Sequence, residues 1–222
     1  LNKEGRSAKE RMLQRLAWAK DKHNSMRKHW MATATSQGKE KPIALSYLAN
    51  ELWGKIKDED WTLVNGDLRA WPRQIWDFTN PRQHIGNSAG GGLGYGIGAS
   101  IGAALALKDQ DTLCVDFQSD GDMLYTDSAL WTAAHHQIPL LIVTYNNRSY
   151  YNDEAHQYNT AIARNRDPER RGIGIHLRNP EVNFGQLAMS MGVYGEGPIE
   201  SPTDISPALE RAIKIVKEEK RP

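Results

Sequence analysis

The sequence predicts an α/β fold: a parallel sheet with helices on both faces, preceded by a helical linker. Three observations carry this expectation. Between Thr112 and Tyr145, strand, loop, helix and strand follow one another within about 35 residues, the signature of a βαβ crossover. Leu140-Leu-Ile-Val-Thr-Tyr is almost uninterrupted in apolar character, as expected for a strand covered on both faces. A glycine-rich stretch from Gly90 runs into the small-residue segment Ala99 to Ala106, as expected for a turn entering a closely packed helix.

Taken in order, residues 1–41 are polar and basic, with Leu13, Leu16, Ala17 and Trp18 at helical spacing, and read as a solvated helical arm and linker. The domain proper is expected over residues 42–222. Leu45, Leu48, Leu52 and Ile56 recur at helical intervals, and Trp61-Thr-Leu-Val supplies a short strand. After the glycine segment come a strand from Thr112 to Phe117, a helix from about Thr126 to His136 ended by Ile138-Pro139, and the second strand. Residues 153–180 are charged and lack apolar periodicity, so a long surface loop is expected. Phe184 to Met191 and Ile205 to Val216 complete the helices. His135 and His136 fit a helix C-terminus, where cations meet the negative end of the dipole.

Composition excludes several function classes. Twenty-eight Lys and Arg against 27 Asp and Glu leave a net charge of +1, so no global field points to nucleic acid. The one cysteine, Cys114, lies in an apolar run and excludes an internal disulfide framework. No stretch reaches the roughly 20 apolar residues that span a bilayer, so a cytoplasmic enzyme with no membrane partner is expected. The chain starts at Leu1 and stops at Pro222 just after a charged helical pattern, and is therefore expected to be part of a larger polypeptide.

Two polar clusters end consecutive strands, Ser119-Asp-Gly-Asp and Asn146-Asn-Arg-Ser, and parallel pairing would bring them together. Asp120 and Asn147 stand 147 − 120 = 27 residues apart, the length one crossover consumes. A carboxylate, an amide oxygen and a backbone carbonyl make an all-oxygen set for a hard cation such as Mg2+, with phosphate oxygens and water completing the octahedron. Gly121 allows close backbone approach, and the amides of the helix that follows would face an anion.

Gly-Asp-Gly followed some 24 to 27 residues later by Asn-Asn is the fingerprint of thiamine-diphosphate enzymes, and Ser119-Asp-Gly through Asn146-Asn147 resembles it, with Ser119 replacing the first glycine. Ser128-Ala-Leu-Trp-Thr-Ala-Ala-His-His-Gln-Ile-Pro is similar to a helix of the benzoylformate decarboxylases, and acetolactate synthases fit equally well. The resemblance covers the chain from about Pro42 onward and implies the thiamine-diphosphate-binding fold, with thiamine diphosphate and Mg2+ as cofactors. It implies Asp120 and Asn147 as metal ligands by side chain and Ser149 by its carbonyl. Leu93 would be the apolar wedge beneath the aminopyrimidine, and Gly91 would accept a hydrogen bond from it. Gly92, Gly121, Asp122 and Tyr150 would complete the cofactor site. Asp122 is unusual, since many relatives place Ser, Ala or Gly there and a carboxylate beside a diphosphate is repelled unless it points away or meets a partner.

The implied activity is lyase or carboligase (transferase) chemistry on a 2-keto acid, in a homodimer or tetramer. A partner subunit or further domain would supply the pyrimidine-binding half and the activating glutamate. Tyr150, Tyr151, Asp153, Glu154 and His156 follow the metal loop, and Asp153 and His156 are candidates for the substrate pocket. Three alternatives stay open: a non-catalytic cofactor-binding relative serving assembly, a 2-hydroxyacyl-CoA lyase, and, on the match of Gly94-x-Gly-x-x-Ala to a dinucleotide pattern, nicotinamide binding.

Overall fold

The computed structural model describes the backbone of residues 3–66, 68–86 and 92–222, with side chains from residue 7. Its elements run α1 (Lys3–Ser36), α2 (Leu45–Ile56), β1 (Trp61–Asn65), α3 (Trp71–Ile75), α4 (Tyr95–Ala106), β2 (Leu113–Ser119) and α5 (Asp120–Met123). They continue with α6 (Ala129–His135), β3 (Leu141–Tyr145), α7 (Tyr151–Ala163), α8 (Phe184–Ser190) and α9 (Pro202–Lys214). The three strands pair in the order β1-β2-β3, parallel throughout. Side chains alternate across the pleat, so each strand feeds two cores.

One face carries Trp61 and Leu63, Leu113, Val115 and Phe117, and Leu141, packed under residues of α2, α3 and α9. The other carries Val64, Cys114 and Leu140 beneath α4 and α6, with Phe184 and Leu187 of α8 against them. Helices cover both faces, as expected. Residues 7–26 of α1 are exposed, but its last turns belong to the first core, where Ala34 is fully buried and Trp30 packs. Arg27 ties it there by donating to the carbonyls of Ile75 (2.8 Å) and Trp76 (3.1 Å) and pairing with Asp77 at 2.8 Å.

The Leu140–Tyr145 run packs on both faces, Leu141, Val143 and Tyr145 against the first core and Leu140 and Ile142 against the second, although after Leu141 its residues are only half-buried. One expectation is corrected. Residues 153–180 are not one loop, since α7 occupies Tyr151–Ala163. No residue of α7 is buried, so it lacks the apolar stripe that periodicity detects. Asp153 and Glu154 in its first turn and the alanines along it favour the helix instead.

A β-bulge interrupts β1. Leu63 pairs with Val115 and Asn65 with Asp116, so β1 spends two residues where β2 spends one. Regular alternation would aim Asn65 with Trp61 and Leu63, but its amide instead meets Asp116 and Gln118 on the α4 face.

Candidate functional site

β2 passes directly into α5, so Asp120 stands at the strand's carboxyl end with only 1% of its surface exposed. Its Oδ2 accepts the backbone N–H of Arg148 at 2.6 Å, which joins the loop after β2 to the loop after β3. Burial raises the Asp120 carboxyl above its ordinary pKa, opposed by the amides of Gly121, Arg148 and Ser149.

Two overlapping Asx turns shape the second loop. Asn146 Oδ1 accepts from Arg148 N (3.0 Å) and Asn147 Oδ1 from Ser149 N (2.9 Å), with Arg148 in the left-handed region at φ 58. The turn holds Asn147's amide oxygen toward its own loop and leaves it a second lone pair. Ser149 is buried, and its hydroxyl donates to Glu154 Oε2 at 2.7 Å. Glu154 also receives Arg171 Nε at 3.2 Å and lies 3.3 Å from His176 Nε2. The Ser149 hydrogen bond, with His176 and Arg171 adding to it, holds the Glu154 carboxyl below its usual range despite some desolvation. Residues 175–177 pair with 148–150 through Tyr150 N to Ile175 O (3.1 Å) and Leu177 N to Arg148 O (2.9 Å). α7 and the strand-like segment after it therefore buttress the loop carrying Asn147.

Gly121 has room for no side chain: a Cβ there would stand 2.5 Å from Cε1 of Tyr150, whose ring lies over the start of α5 and meets Tyr125 edge-on at 6.0 Å. Asp122 turns from that loop towards α4. Its Oδ1 accepts from Gly94 N at 2.6 Å and its Oδ2 from Gly96 N at 3.2 Å, and Gln118 Nε2 donates to the same Oδ2.

A wide cleft runs along the outer edge of β3 and past the carboxyl ends of β2 and β3. Leu93, 46% exposed on the turn before α4, lines it together with Asp120, Gly121, Asn147, Ser149 and Tyr150. Gly92 is exposed, and a side chain there would meet nothing among the described residues. Gly91 lies outside the described residues. Asp153 lines the cleft, whereas His156, further along α7, is exposed and off its lining. The donor chemistry fits a hard cation held jointly with a phosphate: one buried carboxylate, one amide oxygen and backbone carbonyls, with no group of three His, Cys, Asp or Glu among the described residues that could hold a metal alone.

Sequence reasoning missed the contribution of β1. Arg69 and Trp71, just past its carboxyl end, also line the cleft, and the Arg69 guanidinium stacks 4.9 Å over the ring of Tyr151. The rule that ligands gather at strand carboxyl ends could have found them. Leu68, Arg69 and Ala70 all have positive φ (41, 55 and 70), a local strain that no residue type there announces.

Comparison with known proteins bears on the same residues. The family model described as "Thiamine pyrophosphate enzyme, C-terminal TPP binding domain" matches residues 65–222. A protein of Mycobacterium tuberculosis (strain ATCC 25618 / H37Rv) named as an acetolactate synthase large subunit, IlvX, is 35% identical over 105 residues, 47% of this chain and 20% of that protein. The thiamine diphosphate-dependent 4-hydroxybenzoylformate decarboxylase of Rhodococcus jostii RHA1 superposes with a TM-score of 0.64 at 25% identity, covering 80% of this chain and 31% of that one. A Mycobacterium smegmatis protein described as a thiamin diphosphate-dependent enzyme shares the fold, with a TM-score of 0.60 at 22% identity over 79% of this chain and 30% of its own. The chain thus spans about a fifth to a third of the length of these relatives. Among the described residues no helix is long and apolar enough to cross a membrane.

Proposed function

This chain belongs to the thiamine pyrophosphate enzymes, as their C-terminal TPP-binding domain, and from that premise we propose that it is the diphosphate- and magnesium-holding half of an enzyme that breaks or forms a carbon–carbon bond in a 2-keto acid. The observation that carries the reading is the meeting of the two loop tips, Asp120 Oδ2 to Arg148 N at 2.6 Å, which puts Asp120 beside the loop of Asn147 and Ser149. Those three residues would hold Mg2+, the first two by side chain and Ser149 by its carbonyl. The amides at the start of α5 would face the diphosphate, and Leu93 and Gly91 the aminopyrimidine. When bound, the cofactor supplies an electron sink for the bond that breaks.

The chain's own part is to bind, orient and exclude water. Tyr150 closes over Gly121, and the clasp of Ser149, Glu154, Arg171 and His176 stiffens the metal loop. Tyr151 and Asp153 stand where a substrate would enter. The activating glutamate comes from a partner subunit or another domain, so this domain alone is inactive. The relatives named as a decarboxylase and an acetolactate synthase support 2-keto acids as the substrate class.

The test is to assay the complete assembly against a panel of 2-keto acids, with and without aldehyde acceptors, following carbon dioxide and ligated product. Turnover that requires added Mg2+ and thiamine diphosphate is expected. Asp120→Ala should abolish metal-dependent cofactor binding while the circular dichroism spectrum and melting profile stay close to wild type. Undiminished binding by that variant refutes the reading.

A further inference from the structure

Asp122 is out of place for a group beside a diphosphate, and its surroundings explain why it is there. Resting on the cofactor site described above, we propose that Asp122 is a positioning residue: its carboxylate occupies the amino end of α4 as a built-in anion, and so holds Leu93 in register with the metal loop without touching the diphosphate.

Four observations carry this. Both oxygens of Asp122 are engaged, Oδ1 with Gly94 N at 2.6 Å and Oδ2 with Gly96 N at 3.2 Å and with Gln118 Nε2. A helix start presents unpaired N–H groups and roughly half a positive charge, so a carboxylate there is stabilised rather than repelled. Two amides at the start of α4 are thus already taken by the chain's own anion, whereas the α5 amides remain for a ligand.

Gly94, the residue after Leu93, is gripped on both sides of its peptide. Asp122 takes its N–H, and Thr126 Oγ1 donates to its carbonyl at 3.0 Å. Both grips come from the stretch that begins with the metal loop, so the backbone bearing Leu93 moves with Asp120. Gly94 has φ 86, and a Cβ there would stand 3.0 Å from Tyr125 Cβ and 3.2 Å from Thr126 Cγ2, so the turn accepts only glycine without strain.

The Asp122 side chain is itself held in place. Asn65 Nδ2 donates to Asp116 Oδ1 at 2.8 Å and to Gln118 Oε1 at 3.1 Å, and Gln118 passes on to Asp122. Asp116 and Gln118 are fully buried. This polar line runs from the bulge in β1, across β2, to the first turn of α4. It crosses at Gly96, where a Cβ would lie 2.3 Å from Asp122 Oδ2, 2.5 Å from Gln118 Oε1 and 2.7 Å from Asn65 Nδ2. The glycine is the space the network occupies.

The experiment compares two probes in the complete assembly, thiamine diphosphate and inorganic pyrophosphate, each with Mg2+. Asp122→Asn replaces one of the accepting oxygens with a donor. Losing hydrogen bonds to a charged acceptor should weaken thiamine diphosphate about tenfold, while pyrophosphate, which never reaches Leu93, stays within about twofold. Hydrogen exchange of the peptide covering 92–100 should quicken while that of β2 holds. In a Leu93→Ala background the same change should cost thiamine diphosphate little more, since the two residues act as one unit.

Tighter binding of both probes by Asp122→Asn would mean that the carboxylate opposes the diphosphate directly, and would overturn the proposal. So would equal weakening of both probes, or fully additive losses in the double variant. Should Asp122→Asn fail to fold, Asp122→Ser, which keeps one acceptor, must show the same split between probes in smaller measure. Wild-type protein that binds neither probe would refute the functional reading itself; wild-type binding with an unsplit variant refutes only this inference.

Discussion

On one face of the sheet Trp61 meets Trp53, Trp76 and Phe78 edge-on at centroid distances of 5.8, 5.2 and 5.2 Å, and Trp76 Nε1 is satisfied by the carbonyl of Ala49 at 2.9 Å. On the other, α4 lays Gly96, Ile97, Ser100, Ile101 and Ala104 against strands that carry Asp116 and Gln118 among apolar neighbours. The first face gains from aromatic area and ring geometry, which stabilise wherever the rings fit. The second admits polar atoms into the interior, and such atoms have a free-energy cost unless each finds a partner. The difference separates two duties: the tryptophan face holds the domain together, and the small-residue face connects the sheet to the loops at its carboxyl end.

Substitutions on each face can break that division. Trp61→Ala should lower stability by about 3–5 kcal/mol in denaturant titrations, the usual range for removing a large buried aromatic, and leave Mg–pyrophosphate affinity of the folded fraction unchanged. A drop in affinity would show that the two faces are not separate. Gly96→Ala should reverse the pattern. The added methyl overlaps three polar atoms, so stability should fall by only about 1–3 kcal/mol while thiamine diphosphate binding is largely lost, a split that calorimetry on one sample can read.

Asp116 gives the comparison a pH axis. Burial, reinforced by Asp122 and opposed by the hydrogen bond from Asn65 and by the nearby Ser100 hydroxyl, pushes its carboxyl up from 3.8 to about 7. The folded chain then keeps a proton that the unfolded chain releases, so this group contributes stability that is full below about pH 4 and lost as the pH rises to about 7. Asp116→Asn should flatten that slope: little change in melting temperature at pH 4, and a higher one than wild type at pH 8. A parallel offset at both pH values would argue that the carboxyl titrates normally. The smallest effect belongs to the cleft mouth. Asp153→Leu should shift kcat/KM between polar and apolar 2-keto acids about fivefold, and His156→Leu, off the cleft lining, should not.

The βαβ unit and the meeting of the loops that carry Asp120 and Asn147 were legible because strands, turn glycine and spacing are local patterns. The long exposed α7 was not, because a helix that buries no residue leaves no periodic mark. Asp122 was recognisable as an anomaly, but its partners Gly94 and Gly96 are 28 and 26 residues away along the chain. The roles of Asn65, Gln118 and Glu154 likewise depend on tertiary neighbours.

Because β1 holds one residue more than β2 between Leu63 and Asn65, counting by twos fails at its end. Were Val64 to take the place opposite Asp116, as in an unbulged strand, even parity would return with no change in composition. Asn65 is then expected to swing towards Phe117 and the indoles, where an amide has nothing to bind, and Gln118 would lose its neighbour. A single-position slip in an otherwise ordinary strand would in this way unplug the sheet from the chemistry at its tip.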